Sequence, residues 1–308
     1  MDYYWYLILF IFGLAIGSFL NVVALRYRPT FKLLDFKTLK LYLGGRSKCP
    51  ACHKTLVWYE LIPIFSFLIQ KKKCRHCGHL ISLQYPLVEI ISGLIFVFVP
   101  LVLTYDLRPT TYDFLPLLVV GCWLLVFLLF LLLSIIDFRQ YIIPDSINLS
   151  LAVLGIILII SQLSGVSGQM SDINGQWSFL GYYANLFDFW PLSMVNGQWS
   201  MVINHIFAAF IAVLFFGAII SLTKGKAMGL GDLKLVGALG LIFGWPDILM
   251  VLFLAFIIGA VFSVVLLIRK KKKIKEAVPF GPFLVVAASL TFFSGYQIID
   301  GYFKLFGL

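Results

Sequence analysis

Charge is what this sequence has least of. Acidic and basic side chains make up 12% of the 308 residues, against 61% hydrophobic. Soluble domains carry about twice that share of charge, so a freely soluble globule is excluded. Acids are the scarcer sign, at 14 residues, and histidines number only four. Five cysteines in so long a chain also exclude a small secreted disulfide scaffold.

What is abundant is apolar sequence, in separate runs of about 20 residues, the length that crosses a bilayer core. Eight spans are predicted, at 3–24, 86–104, 116–136, 147–164, 201–222, 228–245, 248–268 and 282–303. The first run lacks a basic leader and a small-residue cleavage site, so it reads as a retained span. The expected fold class is an all-α polytopic membrane protein of about eight transmembrane helices with a small insertion between the first two. The expected domains are 1–104, holding two spans and the insertion at 25–85, and 105–308, a membrane domain with an external loop at 165–200. That loop repeats the string NGQW, at 174–177 and 196–199, and would touch headgroups through Trp177 and Trp199.

The net charge of +10 is sorted by membrane side. Twelve of the 24 basic residues lie in 25–85 and six in 269–275. Alternating spans put Arg139, Lys224, Lys226 and Lys234 on the same face, leaving Arg108 and Lys304 opposite. Basic loops stay cytoplasmic, so the 25–85 insertion is expected inside and both termini outside. Lipid headgroups, and not nucleic acid, are the partner this layout implies.

Four cysteines form Cys49-x-x-Cys52 and Cys74-x-x-Cys77, with 21 residues between the pairs. Two such hooks can bring four thiolates to one tetrahedral ion, so zinc is expected in a zinc-ribbon-like insertion. Cytoplasmic disulfides are disfavoured, and nearby Lys and Arg favour thiolates. A loop this short has little core, so a metal would contribute folding energy directly. A redox pair and metal-free cysteines are the other readings. His53, His76 and His79 lie close by, but four cysteines already fill the shell. Cys122 stands alone in an apolar span and reads as a packing residue.

Carboxylates in a span are costly, so each needs a reason. Asp137 follows LLLSII at the cytoplasmic end of the third span, and Asp232 lies in GLGDLKL at the cytoplasmic start of the sixth. Though 95 positions apart, they are expected at one depth on one side. There they could share a proton and hold a water, one as general base and the other as general acid. A lone Asp would read as a helix cap or a snorkelling acid. Two at one depth, one in Gly-x-Gly-Asp, point to a catalytic pair. Gly229 and Gly231 would allow close backbone approach or local unwinding. Asp145, in IIPDSIN, and Lys234 are supporting candidates, Asp145 either capping the fourth span or lining the site. Glu60 and Glu89 would meet a basic substrate segment or pair with Lys and Arg.

Eight strings in order resemble the type IV prepilin peptidases, GxGD membrane aspartyl proteases. They are GSFLNVVALR (17–26), CPAC (49–52), ELIPIFSFL (60–68), CRHCG (74–78), YPLVE (85–89), DFRQYIIPD (137–145), GLGDLKL (229–235) and PFGPFL (279–284). The resemblance implies removal of the short basic leader from type IV pilin and pseudopilin precursors at the cytoplasmic membrane face. The cut follows a glycine, with Asp137 and Asp232 at the two catalytic positions. Many members then methylate the new N-terminus with S-adenosylmethionine, a step linked to the cysteine-bearing domain. No glycine fingerprint for a nucleotide supports that from the residues themselves; Gly44-Gly45 is too little. The 165–200 loop is longer than the family pattern. The alternative is an ion or metal transporter using the same carboxylates, which predicts broken helices at the midplane and repeated span patterns.

Overall fold

The computed structural model describes residues 3–28, 45–49, 51–107, 114–161, 163, 199–225, 228–269 and 278–305. The NGQW copy at 174–177, the first three residues of the copy at 196–199, and all but the last two residues of the 165–200 loop therefore lie outside the described residues. The helices are α1 (Tyr3–Arg26), α2 (Phe65–Ile69), α3 (Gln84–Leu107), α4 (Phe114–Gln140), α5 (Asp145–Ser161), α6 (Trp199–Leu222), α7 (Leu230–Phe243), α8 (Asp247–Ile268) and α9 (Gly281–Leu305). A single 3-10 turn occupies Trp58–Glu60, and no strand occurs among the described residues.

Every expected span contains a helix, but not every helix has the length of a span. By length and composition, α1, α3, α4, α6 and α8 can cross a membrane. α5 has 17 residues and α7 only 14. At about 1.5 Å per residue, 14 residues reach about 21 Å, short of a core of about 30 Å. The expected span at 228–245 is shorter because Gly229 is extended at one end, and Gly244, with φ of 73°, breaks the helix at the other.

The chain divides into two compact units, Met1–Leu103 and Thr104–Leu308. In the first, α1 and α3 run antiparallel and nearly touch. A methyl added at Gly13 would lie 2.8 Å from the Gly93 Cα, and one at Gly17 would lie 2.8 Å from the Glu89 Cα. Small residues one turn apart let membrane helices approach this closely. Asn21 Nδ2 donates to the Tyr85 carbonyl at 3.2 Å and holds the register.

In the second unit α7 is the central helix, touching α5, α6, α8 and α9. Its Leu235 and Leu239 are fully buried. At the far end of α7, His205 Nδ1 lies 2.9 Å from the Leu241 carbonyl, and Asn204 Oδ1 accepts the Trp245 N–H at 2.8 Å. These bonds fix the reversal into α8. Antiparallel α4 and α9 are joined by rings, with Trp123 and Phe292 centroids 4.4 Å apart and Phe127 and Phe292 centroids 5.0 Å apart.

The α6–α7 contact depends on Gly240, where a methyl would lie 2.5 Å from the Ala209 Cα. Gly240→Ala should cost about 1–3 kcal/mol, since overpacked backbone must move. Gly121, in open space, is the control. Thermal unfolding in detergent should show a lower midpoint for Gly240→Ala and an unchanged or higher one for Gly121→Ala.

Candidate active site and cysteine centre

Four helix ends meet at one end of the second unit: the C-terminus of α4 and the N-termini of α5, α7 and α9. Asp137 lies in the last turn of α4 and is buried. Its Oδ2 accepts the Gly281 N–H at 3.1 Å, one of the orphan donors at the start of α9. A methyl on Gly281 would lie 2.7 Å from that oxygen, so the position needs glycine for room. Beyond α4 the chain turns at Tyr141, whose φ is 57° and whose N–H bonds the Asp137 carbonyl at 2.9 Å.

Asp232 is the third residue of α7. Its Oδ2 reaches back to the Gly229 N–H at 3.1 Å, the reach-back half of a capping box. The helix dipole favours a negative charge there. Asp137 and Asp232 are near enough for their charges to interact. Buried Ile143 sits between the segments that hold them: a methyl on Gly231 would lie 3.1 Å from its Cβ, and one on Gly281 would lie 3.1 Å from its Cδ1. Gly231 and Gly281 therefore let both backbones close on one side chain. Gly229 is looser, since a methyl there would stand 3.6 Å from Asp232 Oδ2.

Asn148, buried on α5, donates Nδ2 to the Gly231 carbonyl at 3.3 Å and steadies the turn that presents Asp232. Asp145, the first residue of α5, accepts Lys234 Nζ at 2.7 Å. Both are exposed, so this tie contributes no more than about 1 kcal/mol. Gly281 and Asn148 were not among the expected site residues. PFGPFL carried the signal for the first, a glycine between two prolines at a span start. A polar Asn in an apolar run was the signal for the second.

A carboxylate oriented through one oxygen presents the other to the acid beside it. Two such groups can share a proton and polarise a water, which is the chemistry of aspartic peptide hydrolysis.

In the first unit the cysteine strings fold as two matching hairpins. Bridges pair Lys48 with Thr55 and Lys73 with Leu80. His53 N–H bonds the Cys49 carbonyl and Gly78 N–H the Cys74 carbonyl, both at 2.9 Å. His53 and Gly78 both take positive φ, 57° and 70°. The sulfurs of Cys49, Cys52, Cys74 and Cys77 all lie within 4.8 Å of one another. Cys49 and Cys77 sulfurs are 3.8 Å apart, and a tetrahedral ion with metal–sulfur bonds of about 2.3 Å needs sulfur edges of about 3.8 Å. The four can hold a metal ion, and the donor set is compatible with zinc.

Backbone N–H groups of Cys77 and His76 pull the Cys74 thiol down to about 7. Against the His79 amide, which favours its thiolate, Cys77 is pushed up to about 11 by desolvation and the neighbouring sulfurs. Clustered thiols resist becoming anions together, and a cation removes that resistance. His76 Nδ1 lies 3.2 Å from Lys54 Nζ. Glu60 and Glu89 are buried, each with one oxygen on a backbone amide: Val57 N–H at 3.0 Å and Ile64 N–H at 2.8 Å. Cys122 is buried in α4.

Residues 11–103 match the family of bacterial peptidase A24 N-terminal domains, and residues 122–264 match the type IV leader peptidase family. A prepilin leader peptidase/N-methyltransferase of Aeromonas salmonicida is 30% identical, covering 98% of this chain and 95% of the relative. Relatives of the same name from Xanthomonas campestris and Bacillus subtilis are 28% and 27% identical, covering 96% and 97% of this chain and 93% and 98% of their own. No solved structure matches.

Protons compete with metal for the thiolates, so metal affinity should fall as pH falls below the Cys77 value of about 11, and more steeply below the Cys74 value of about 7. Elemental analysis of the purified protein should find a single bound ion. Cys49→Ser or Cys77→Ser should lower its occupancy several-fold, whereas Cys122→Ser should leave it unchanged.

Proposed function

The chain belongs to the type IV leader peptidase family, and we propose that Asp137 and Asp232 are the catalytic pair of its peptidase centre. The protein is a membrane aspartic endopeptidase of the prepilin-processing kind. Its substrates, in this reading, are type IV pilin and pseudopilin precursors, from which it removes the short basic leader. The observation that carries the assignment is the pair itself. Asp137 is held by the Gly281 N–H and Asp232 by the Gly229 N–H, at one end of one helical unit, with interacting charges.

The two carboxylates share one proton, because like charges at this range do not both ionise freely. The ionised member takes a proton from a water held between them as that water attacks the scissile carbonyl. The protonated member gives its proton to the departing amine. Gly281 and Gly229 keep one oxygen of each acid in place throughout. General acid–base help of this kind is worth about 10²–10⁴-fold.

The layout of the basic residues supports a reading in which Asp137, Asp232 and the 25–85 insertion lie on the cytoplasmic side and both termini outside. A precursor that is itself a membrane helix with a basic cytoplasmic leader would present its cleavage junction at that level. Zinc on Cys49, Cys52, Cys74 and Cys77 would hold the two hairpins together and takes no part in cleavage. The relatives' names add a second proposed activity, methylation of the freed N-terminal amine, with S-adenosylmethionine supplying the methyl group. The described residues do not assign its site. The buried Asn21 Oδ1 and Ser92 Oγ lack hydrogen-bond partners among them, but α1 and α3 close around Gly17 too tightly to admit such a ligand. No observation favours ion transport.

Co-expression with a pilin precursor, read by precursor mass, tests the pair. Asp137→Asn and Asp232→Asn should each lower cleavage by at least about 10²-fold at unchanged protein level; full-rate cleavage by either would remove that residue from the mechanism. Gly281→Ala keeps the N–H but displaces the Asp137 oxygen, so it should lose more than about tenfold, a cost of at least about 1.4 kcal/mol in transition-state binding. Gly229→Ala should retain most activity.

A further inference from the structure

Glu89 lies five residues inside α3, which begins at Gln84 and is a candidate membrane span. At about 1.5 Å per residue it is about 8 Å along that helix. Its Oε2 accepts the Ile64 N–H at 2.8 Å, and Ser18 of α1 supplies a further hydrogen bond. Ile64 is the residue immediately before α2. The start of α2 is therefore pinned beside the first turns of that candidate span. Ile64 itself has φ of 61°, a conformation that a β-branched residue rarely adopts. Such strain persists only where the surroundings hold it, and the Glu89 carboxylate does so here.

From that anchor α2 presents two different faces. Phe67 is buried. Phe65, Leu68 and Ile69 share the opposite face, at helical spacing, and are 62%, 63% and 65% exposed. Trp58, in the preceding turn, is 76% exposed. Large apolar side chains grouped this way mark an interaction surface. The helix then stops on Lys71 and Lys72, both with left-handed φ, at 50° and 63°. Lys73 follows, and all three lysines are exposed. An apolar face beside a cationic edge is the pattern of a segment lying in a membrane interface, and juxtamembrane lysines draw anionic lipid headgroups.

We propose that α2 is an interfacial element. Phe65, Leu68 and Ile69 insert into the leaflet from which α1 and α3 emerge, and Lys71 to Lys73 meet anionic headgroups at its surface. The position beside a candidate span, set by Glu89, selects lipid over a soluble partner. The cysteine hairpins at either end of this segment would then be tethered to the membrane surface by a third contact besides the two spans. The inference rests on the membrane character of the chain and not on the peptidase assignment.

Depth measurement tests it. The full-length protein, with 4-acetylphenylalanine replacing Phe65 or Leu68, is coupled to a ketone-reactive nitroxide in nanodiscs of phosphatidylcholine and phosphatidylglycerol. Collision rates are then measured with oxygen, which enters the bilayer, and with a nickel chelate, which stays in water. A label at His53 gives the aqueous reference, and unchanged metal content shows that the hairpins are folded. Labels at 65 and 68 should favour oxygen over nickel several-fold relative to His53. Replacing Lys71, Lys72 and Lys73 with Gln should raise nickel access in the anionic discs. Nickel access equal to that at His53 would overturn the proposal. So would protection from both reagents, which means protein covers the face, or protection from nickel only after an uncleavable precursor is added, which means the occupant is the peptide.

Discussion

A carboxylate buried at the end of an apolar helix persists only where something answers its charge, and in this protein a backbone N–H at the start of another helix does so. Asp137 closes α4 and Gly281 opens α9, and the bond between them joins chain segments 144 positions apart. The rest of the site is arranged around it. Asp232 is held in the same way by the first turn of its own helix. Ile143 fills the space between the two glycine-lined backbones, and Asn148 ties the Gly231 carbonyl to α5. Aiming helix N-termini at acids settles two problems together, since the orphan donors of a helix end and the ionised acid each lack a partner in an apolar medium.

Close approach is the second constraint. Helices in lipid gain little from burying apolar surface against one another, so packing depends on how near the backbones come. Gly13 and Gly17 bring α1 onto α3, and Gly240 brings α6 onto α7. The short α7 is the extreme case, a 14-residue helix packed against four longer ones. Its start after the extended Gly229 puts Asp232 in its first turn.

The two units solve stability differently. The second has rings and branched chains in quantity, with Trp123, Phe127, Phe292 and Phe293 packed against one another. The hairpins of the first have few buried apolar residues to draw on, and four gathered sulfurs suit a metal ion that would take the place of a core. The strained turn at Ile64, clamped by Glu89, connects that compact centre to a membrane helix.

Much of this was legible in the sequence because it is local. Apolar runs specify helices, Cys-x-x-Cys spacing specifies two hooks, and the Gly-x-Gly-Asp string places an acid in the first turn of a helix. Length and composition alone could not separate a full span from the shorter α5 and α7, whose ends are set by Gly229, Gly244 and the chain reversals. Nor could the sequence show that Gly281 contacts Asp137, that Asn148 holds Gly231, or that Glu60 and Glu89 each bond a backbone amide. Those are contacts between segments distant in the chain or side chains turned inward. Pattern within one helix determines that helix; which backbone N–H meets which carboxylate is decided only when the helices pack, because a hydrogen bond of about 3 Å tolerates little error in position.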